Sequence, residues 1–181
     1  MEYLIGDTNT WGNIYKLPFM VTIDTKTRVF QFKINHNIYY TNKKLNTLRM
    51  RETAECSFCN EHEETLRHLF MECKYVKTIW NDLQDLCSVS FSDNNKLFGF
   101  YDKLDDKSYD VLSHITIIVK QCIHASRLAP KKPDFQEVIA KIKDTEQTER
   151  DIALRNAKLE KHLDKWTRLN FISPIANLTP A

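Results

Sequence analysis

The stretch Cys56-Ser57-Phe58-Cys59, eight residues, His68, four residues, Cys73 decides how this chain is read. Three thiolates and one imidazole complete a tetrahedral zinc shell, the form of a closed structural site. A Cys-x2-Cys turn puts two sulfurs on one ion. Four protein ligands leave no open position for water, so the expected metal, one zinc ion, holds shape and does no hydrolysis. The alternatives are ordinary thiols at Cys56 and Cys59, or His62 in place of His68. A helix over 63–70 projects His68, and on an unbroken α-helix Cys73 lies about 140° away from it. The helix must therefore end or tighten near Met71 and Glu72, which leaves Cys73 in the turn before the next helix.

Around this stretch the apolar periodicity is helical. Phe30, Ile34 and Ile38 predict a helix over 26–39, and Thr41 caps a short one ending near Leu48. Val76, Ile79, Trp80, Leu83, Leu86 and Cys87 share one face of a helix over 74–87. Val111, Ile115, Ile118, Val119 and Cys122 stripe another over 106–128, which Ala129–Pro133 breaks. Phe135, Val138, Ile139 and Ile142 open a last helix that runs toward Trp166 with a break near Thr145. Phe19 to Ile23 is the one candidate strand. The expected fold is mainly α: a lead-in over 1–24, basic helices plus the zinc-binding domain over 25–90, a C-terminal helical segment over 91–170, and a tail over 171–181.

Composition narrows the function. The 181 residues are 42% hydrophobic and 11% aromatic, enough for a core, and carry a net charge of +2. Three scattered glycines exclude phosphate-cradling loops. Five cysteines, an odd number without a leader-like segment, favour reduced thiols, with Cys87 and Cys122 as core residues. No apolar run approaches a membrane span, so the expected location is intracellular, nucleus or cytoplasm. His36 and His162 read as surface or packing residues. His114 and His124 stand too far from the cysteine pair to join its ligands. Lys103-Leu104-Asp105-Asp106 lacks a third carboxylate for two-metal chemistry and reads as a loop capping the next helix.

Charge is blocked along the chain. Seven basic residues and no acid lie between Thr25 and Arg51, six glutamates lie between Glu52 and Cys73, and seven aspartates face three lysines between Asp82 and Asp110. Lys33, Lys43, Lys44, Arg49 and Arg51 are the candidate phosphate contacts. Tyr39, Tyr40 and Phe58 are candidate stacking rings for single-stranded bases. Three thiolates on a dication leave the metal centre near −1, so the zinc braces the basic helices and does not grip phosphate. A protein-interaction module is the competing class, served by the acidic 82–110 stretch and the charged last helix.

Several segments carry a resemblance: Phe30-Gln31-Phe32-Lys33-Ile34, Thr41-Asn42-Lys43-Lys44-Leu45, the four ligands, Glu64-Thr65-Leu66-Arg67-His68-Leu69-Phe70-Met71-Glu72-Cys73, and Trp80. Together they resemble the reverse-transcriptase zinc-binding domain of LINE-type non-LTR retrotransposon proteins. Leu97-Phe98-Gly99, Lys120-Gln121-Cys122-Ile123, Arg127, Pro133, Ile152-Ala153 and Lys165-Trp166 resemble the C-terminal helical segment of the same proteins. The resemblance implies binding of template RNA or target DNA. It reaches none of the endonuclease or polymerase parts of those proteins, so no catalysis and no small-molecule substrate are expected. A non-functional truncated copy of such an element is the remaining alternative.

Overall fold

The computed structural model describes residues 8–167 and 169, and the expected 171–181 tail lies outside them. Among the described residues eight α-helices build the fold: α1 (Thr8–Val21), α2 (Thr25–Asn35), α3 (Asn42–Thr47), α4 (Lys74–Cys87), α5 (Asp93–Phe98), α6 (Ser108–Leu128), α7 (Phe135–Arg155) and α8 (Leu159–Trp166). A π-turn over His68–Glu72 precedes α4. No strand occurs among the described residues; Glu55 and Glu63 form an isolated antiparallel bridge.

The expected Phe19–Ile23 strand is instead the end of α1 and the loop after it. Ile14, Leu17, Pro18 and Val21 are buried at helical spacing while Phe19, Met20 and Ile23 stay exposed. Period 3.6 thus overrides the apolar run. Pro18 has no N–H to give the Ile14 carbonyl. The Asn35 side-chain Nδ2 of α2 donates to that carbonyl instead, at 3.3 Å. A proline inside one helix is thereby turned into a cross-link to the next.

Asp24 caps α2, accepting from the Lys26 and Thr27 amides and the Thr27 hydroxyl. The helix stops at Asn35, four residues short of the expected Tyr39. Asn37 adopts left-handed backbone (φ 51°), and the Ile38 and Tyr39 amides both return to the Lys33 carbonyl. Ile38 consequently faces solvent. Thr41 caps α3 as expected, through the Lys44 amide.

Helix α4 covers the expected span and buries Val76, Ile79, Trp80 and Leu83. The Trp80 indole donates to the Phe70 carbonyl at 2.8 Å, fixing α4 against the π-turn. Helix α5 was not expected; Ser92 and Asn95 close its capping box. After it Gly99 takes φ 79°, where a Cβ would lie 2.6 Å from Leu17 Cδ2. Only glycine fits there, and α1 closes down on α6.

Helix α6 runs through the centre, with every residue from Val111 to Lys120 buried. Its buried polar groups are partnered. Ser113 Oγ accepts from the Phe100 amide, and Lys120 Nζ donates to the Lys96 and Leu97 carbonyls at the end of α5. The C-terminal helix breaks at Asn156–Lys158, where Ala157 has φ 53°, and not near Thr145. Lys165 of α8 spends its three ammonium donors on the Val21 carbonyl, His114 Nδ1 and Glu149 Oε2. One apolar core joins α1, α2 and the π-turn to α6, α7 and Trp166. No helix among the described residues is long and apolar enough to cross a membrane.

Candidate metal centre

Cys56, Cys59, His68 and Cys73 bring one ligand atom each to within 4.8 Å of one another. Cys56 Sγ and Cys73 Sγ lie 3.8 Å apart, and Cys59 Sγ and His68 Nε2 3.4 Å. A tetrahedron with Zn–S bonds of about 2.3 Å has S···S edges of about 3.8 Å. The donor set and its edge lengths fit one zinc ion.

The π-turn solves the spacing problem between His68 and Cys73. The Cys73 amide bonds the His68 carbonyl at 2.9 Å, five residues back. The helix therefore widens over its last turn and ends at Glu72, so of the expected end or tightening the end is found and the tightening is not. An i→i+5 turn carries residue i+5 back toward the face of residue i. Cys73 itself is extended (φ −56°, ψ 132°) and begins α4, in the position expected for it.

The first two ligands sit on a turn closed by the Cys56 amide to the His62 carbonyl (2.8 Å) and the Asn60 amide to the Cys56 carbonyl (3.0 Å). His62 stacks at 5.2 Å on His68 and forms a second, exposed grouping with Cys59 and Glu61. His68 is the buried partner and completes the closed set. Burial holds the His68 imidazole below its usual range, leaving it neutral and fit to ligate. Cys73 accepts a hydrogen bond from Cys56, which lowers the first thiol and raises the second. Cys87 and Cys122 lie outside this cluster, half-buried, with burial pushing each thiol up to about 11.

Behind the turn stands a buried carboxylate. Glu64 is fully buried and accepts from the Asn42 amide (2.8 Å), the Ser57 amide (2.9 Å), the Ser57 hydroxyl (2.7 Å) and Arg127 (Nε at 2.9 Å). Arg127 also donates to Asn42 Oδ1 at 2.8 Å. Ser57 lies between the two cysteines of the turn, so α6 holds the metal turn through one ion pair. Of the six glutamates in this block, Glu61, Glu63, Glu64 and Glu72 pair with Lys74, Lys43, Arg127 and Arg67. Their charge is largely compensated on the spot.

The candidate phosphate contacts are divided by the structure. Lys33, Arg49 and Arg51 are exposed and make no side-chain bond with another described residue. Lys43 is paired with Glu63, and Lys44 donates to the Asn37 carbonyl at 2.8 Å beside the Tyr40 ring. Of the three candidate rings, Tyr39 and Phe58 are buried in the core, and only Tyr40, 57% exposed, is open to a ligand. Lys33, Tyr39 and Tyr40 line a groove of about 400 Å³. Lys26 of the same basic block shares it, together with His124 and Arg127, which lie outside that block in the sequence. The acid-free stretch from Lys120 to Pro133 was the signal for Arg127.

No curated protein matches this chain. Residues 4–80 match the family model described as zinc-binding in reverse transcriptase, and the cluster that fits one zinc ion lies wholly within that span.

Proposed function

We propose that this chain is a zinc-stabilised nucleic-acid-binding module of a non-LTR, LINE-type reverse transcriptase, which holds RNA template or target DNA and performs no chemistry of its own. The family match supports the reverse-transcriptase setting. The observation that carries the binding reading is the acid-free basic block on the outside of the zinc-braced core. Lys33, Arg49 and Arg51 stand there in solvent without partners among the described residues. Exposed cations held in no ion pair attract phosphate and release its counterions, which drives binding. Nucleus or cytoplasm is the corresponding location.

Titration of the zinc-loaded protein with a labelled single-stranded oligonucleotide at several salt concentrations tests this reading. About four phosphate contacts give a slope of log affinity against log salt near −3, from about −0.7 per contact. Arg49→Glu with Arg51→Glu reduces that slope and the affinity. Absence of binding near physiological ionic strength, where the Debye length is about 8 Å, refutes it. A protein-interaction reading has one observation in its favour. Trp11, Tyr15, His36 and Phe32 form a continuous row of rings, with centroids 5.7, 4.7 and 4.1 Å apart, whose Tyr15 and Phe32 members are exposed beside Phe19 and Met20.

A further inference from the structure

We propose that the groove between α2 and the last turn of α6 is a subsite for one unpaired nucleobase, stacked on Tyr40 and flanked by phosphates at Lys26 and Lys33. This inference rests on the nucleic-acid reading above. The volume of about 400 Å³ lies within the range of small-ligand sites. The wall is a half-exposed ring, since Tyr40 stacks on no other ring among the described residues and carries only the Lys44 ammonium, 5.8 Å from its centroid.

The floor is rigid and apolar. Tyr39 packs edge-on against Phe30 and Phe70, with centroids at 6.0 and 5.2 Å. Tyr39 Oη lies 2.6 Å from His124 Nδ1. Burial pushes the Tyr39 hydroxyl up to about 12 and the His124 imidazole below its usual range, so both are neutral at pH 7. That contact engages Nδ1, so Nε2 is the His124 ring nitrogen left for a base edge.

Charge around the groove is sorted in the same sense. Arg127 is neutralised by Glu64, and Asp24 is occupied at the cap of α2. Lys33 has no ion-pair partner among the described residues, and Lys26, which lies within electrostatic reach of Asp24, stands two turns from it on α2, about 10 Å along the axis. A cation pair over an aromatic wall and floor suits a base within a phosphate strand. An acidic peptide would use the lysines and leave the ring idle.

The test is fluorescence anisotropy of the zinc-loaded full chain near physiological salt. The three probes are a labelled ten-nucleotide oligothymidylate, an abasic strand of the same length, and a ten-residue polyglutamate. Tyr40→Ala is expected to weaken oligothymidylate binding about 5- to 150-fold, the range of one lost stacked base, and to leave the abasic strand unchanged. Tyr40→Phe keeps the ring and binds within about twofold of the parent. Lys33→Glu weakens both strands and lowers the salt slope by about 0.7. If Tyr40→Ala binds oligothymidylate like the parent while Arg49→Glu with Arg51→Glu weakens it, the subsite is overturned and the nucleic-acid reading stands. The subsite is equally overturned if Tyr40→Phe loses as much as Tyr40→Ala, or if polyglutamate binds as tightly as oligothymidylate. If the parent binds neither strand, the nucleic-acid reading falls and the subsite with it.

Discussion

Arg127→Met separates a metal turn that stands alone from one held by the helical segment. In the parent, Arg127 gives Glu64 a charge-assisted pair at 2.8–2.9 Å and gives Asn42 a further hydrogen bond. Removing one partner of a buried ion pair typically costs 3–5 kcal/mol. Glu64 keeps three donors, the Asn42 amide and both groups of Ser57, which sets the expected loss at the low end, about 3 kcal/mol. Because Ser57 sits inside the Cys56–Cys59 turn, part of that loss falls on the metal-competent conformation. If all of it did, zinc affinity would drop about 100-fold. Urea unfolding of the zinc-loaded protein and competition with a calibrated chelator measure the two quantities. Glu64→Gln and the double variant complete a cycle whose coupling energy should exceed about 1 kcal/mol. A stability change under 1 kcal/mol together with unchanged zinc affinity would refute the view that α6 braces the metal turn.

Cys59→Ser should lose the bound metal, read as zinc per chain by elemental analysis, because structural zinc contributes on the order of 10–16 kcal/mol in finger-sized modules; full retention would contradict the ligand assignment. Trp80→Ala should cost about 3–5 kcal/mol in denaturant unfolding, since the indole is 1% exposed and holds the Phe70 carbonyl. His114 is fully buried and held well below its usual range, by burial and then by Lys165. Below about pH 6.5 the unfolded chain therefore binds a proton there that the folded chain refuses, and stability falls with acidification by up to about 1.4 kcal/mol per pH unit. His114→Asn should flatten that slope, and identical profiles for variant and parent would contradict it.

The ligand set was legible because its information is local: four residue types at fixed spacing. Helix α4 was legible for a similar reason, since Val76, Ile79, Trp80 and Leu83 mark a single face over about two turns. The π-turn was not, because an extra residue between His68 and Cys73 fits either a tighter or a wider turn until the metal geometry chooses. Helix α5 is six residues long and has little periodicity to show, so its evidence was the Ser92–Asn95 pair alone. Glu64 with Arg127 spans 63 positions. No window along the chain reveals such a pairing, and it makes the acidic block around the metal far less repulsive than its composition suggests. Tyr39 and Tyr40 are adjacent and chemically alike, yet after the αL turn at Asn37 one is buried as the floor of the groove and the other is 57% exposed on its wall.

The two sheltered ammonium groups give the chain its own record of how it opens. Lys120 is tied to the end of α5 in the centre of the fold, and Lys165 joins α8 to α1 across 144 positions. Exposed lysines acylate at once with an amine-reactive reagent, whereas these two react only when the structure around them comes apart. With rising denaturant, labelling at Lys165 before Lys120 marks the last helix as a separately detaching unit. Simultaneous labelling marks a molecule in which the zinc-bearing half and the helical half come apart as one.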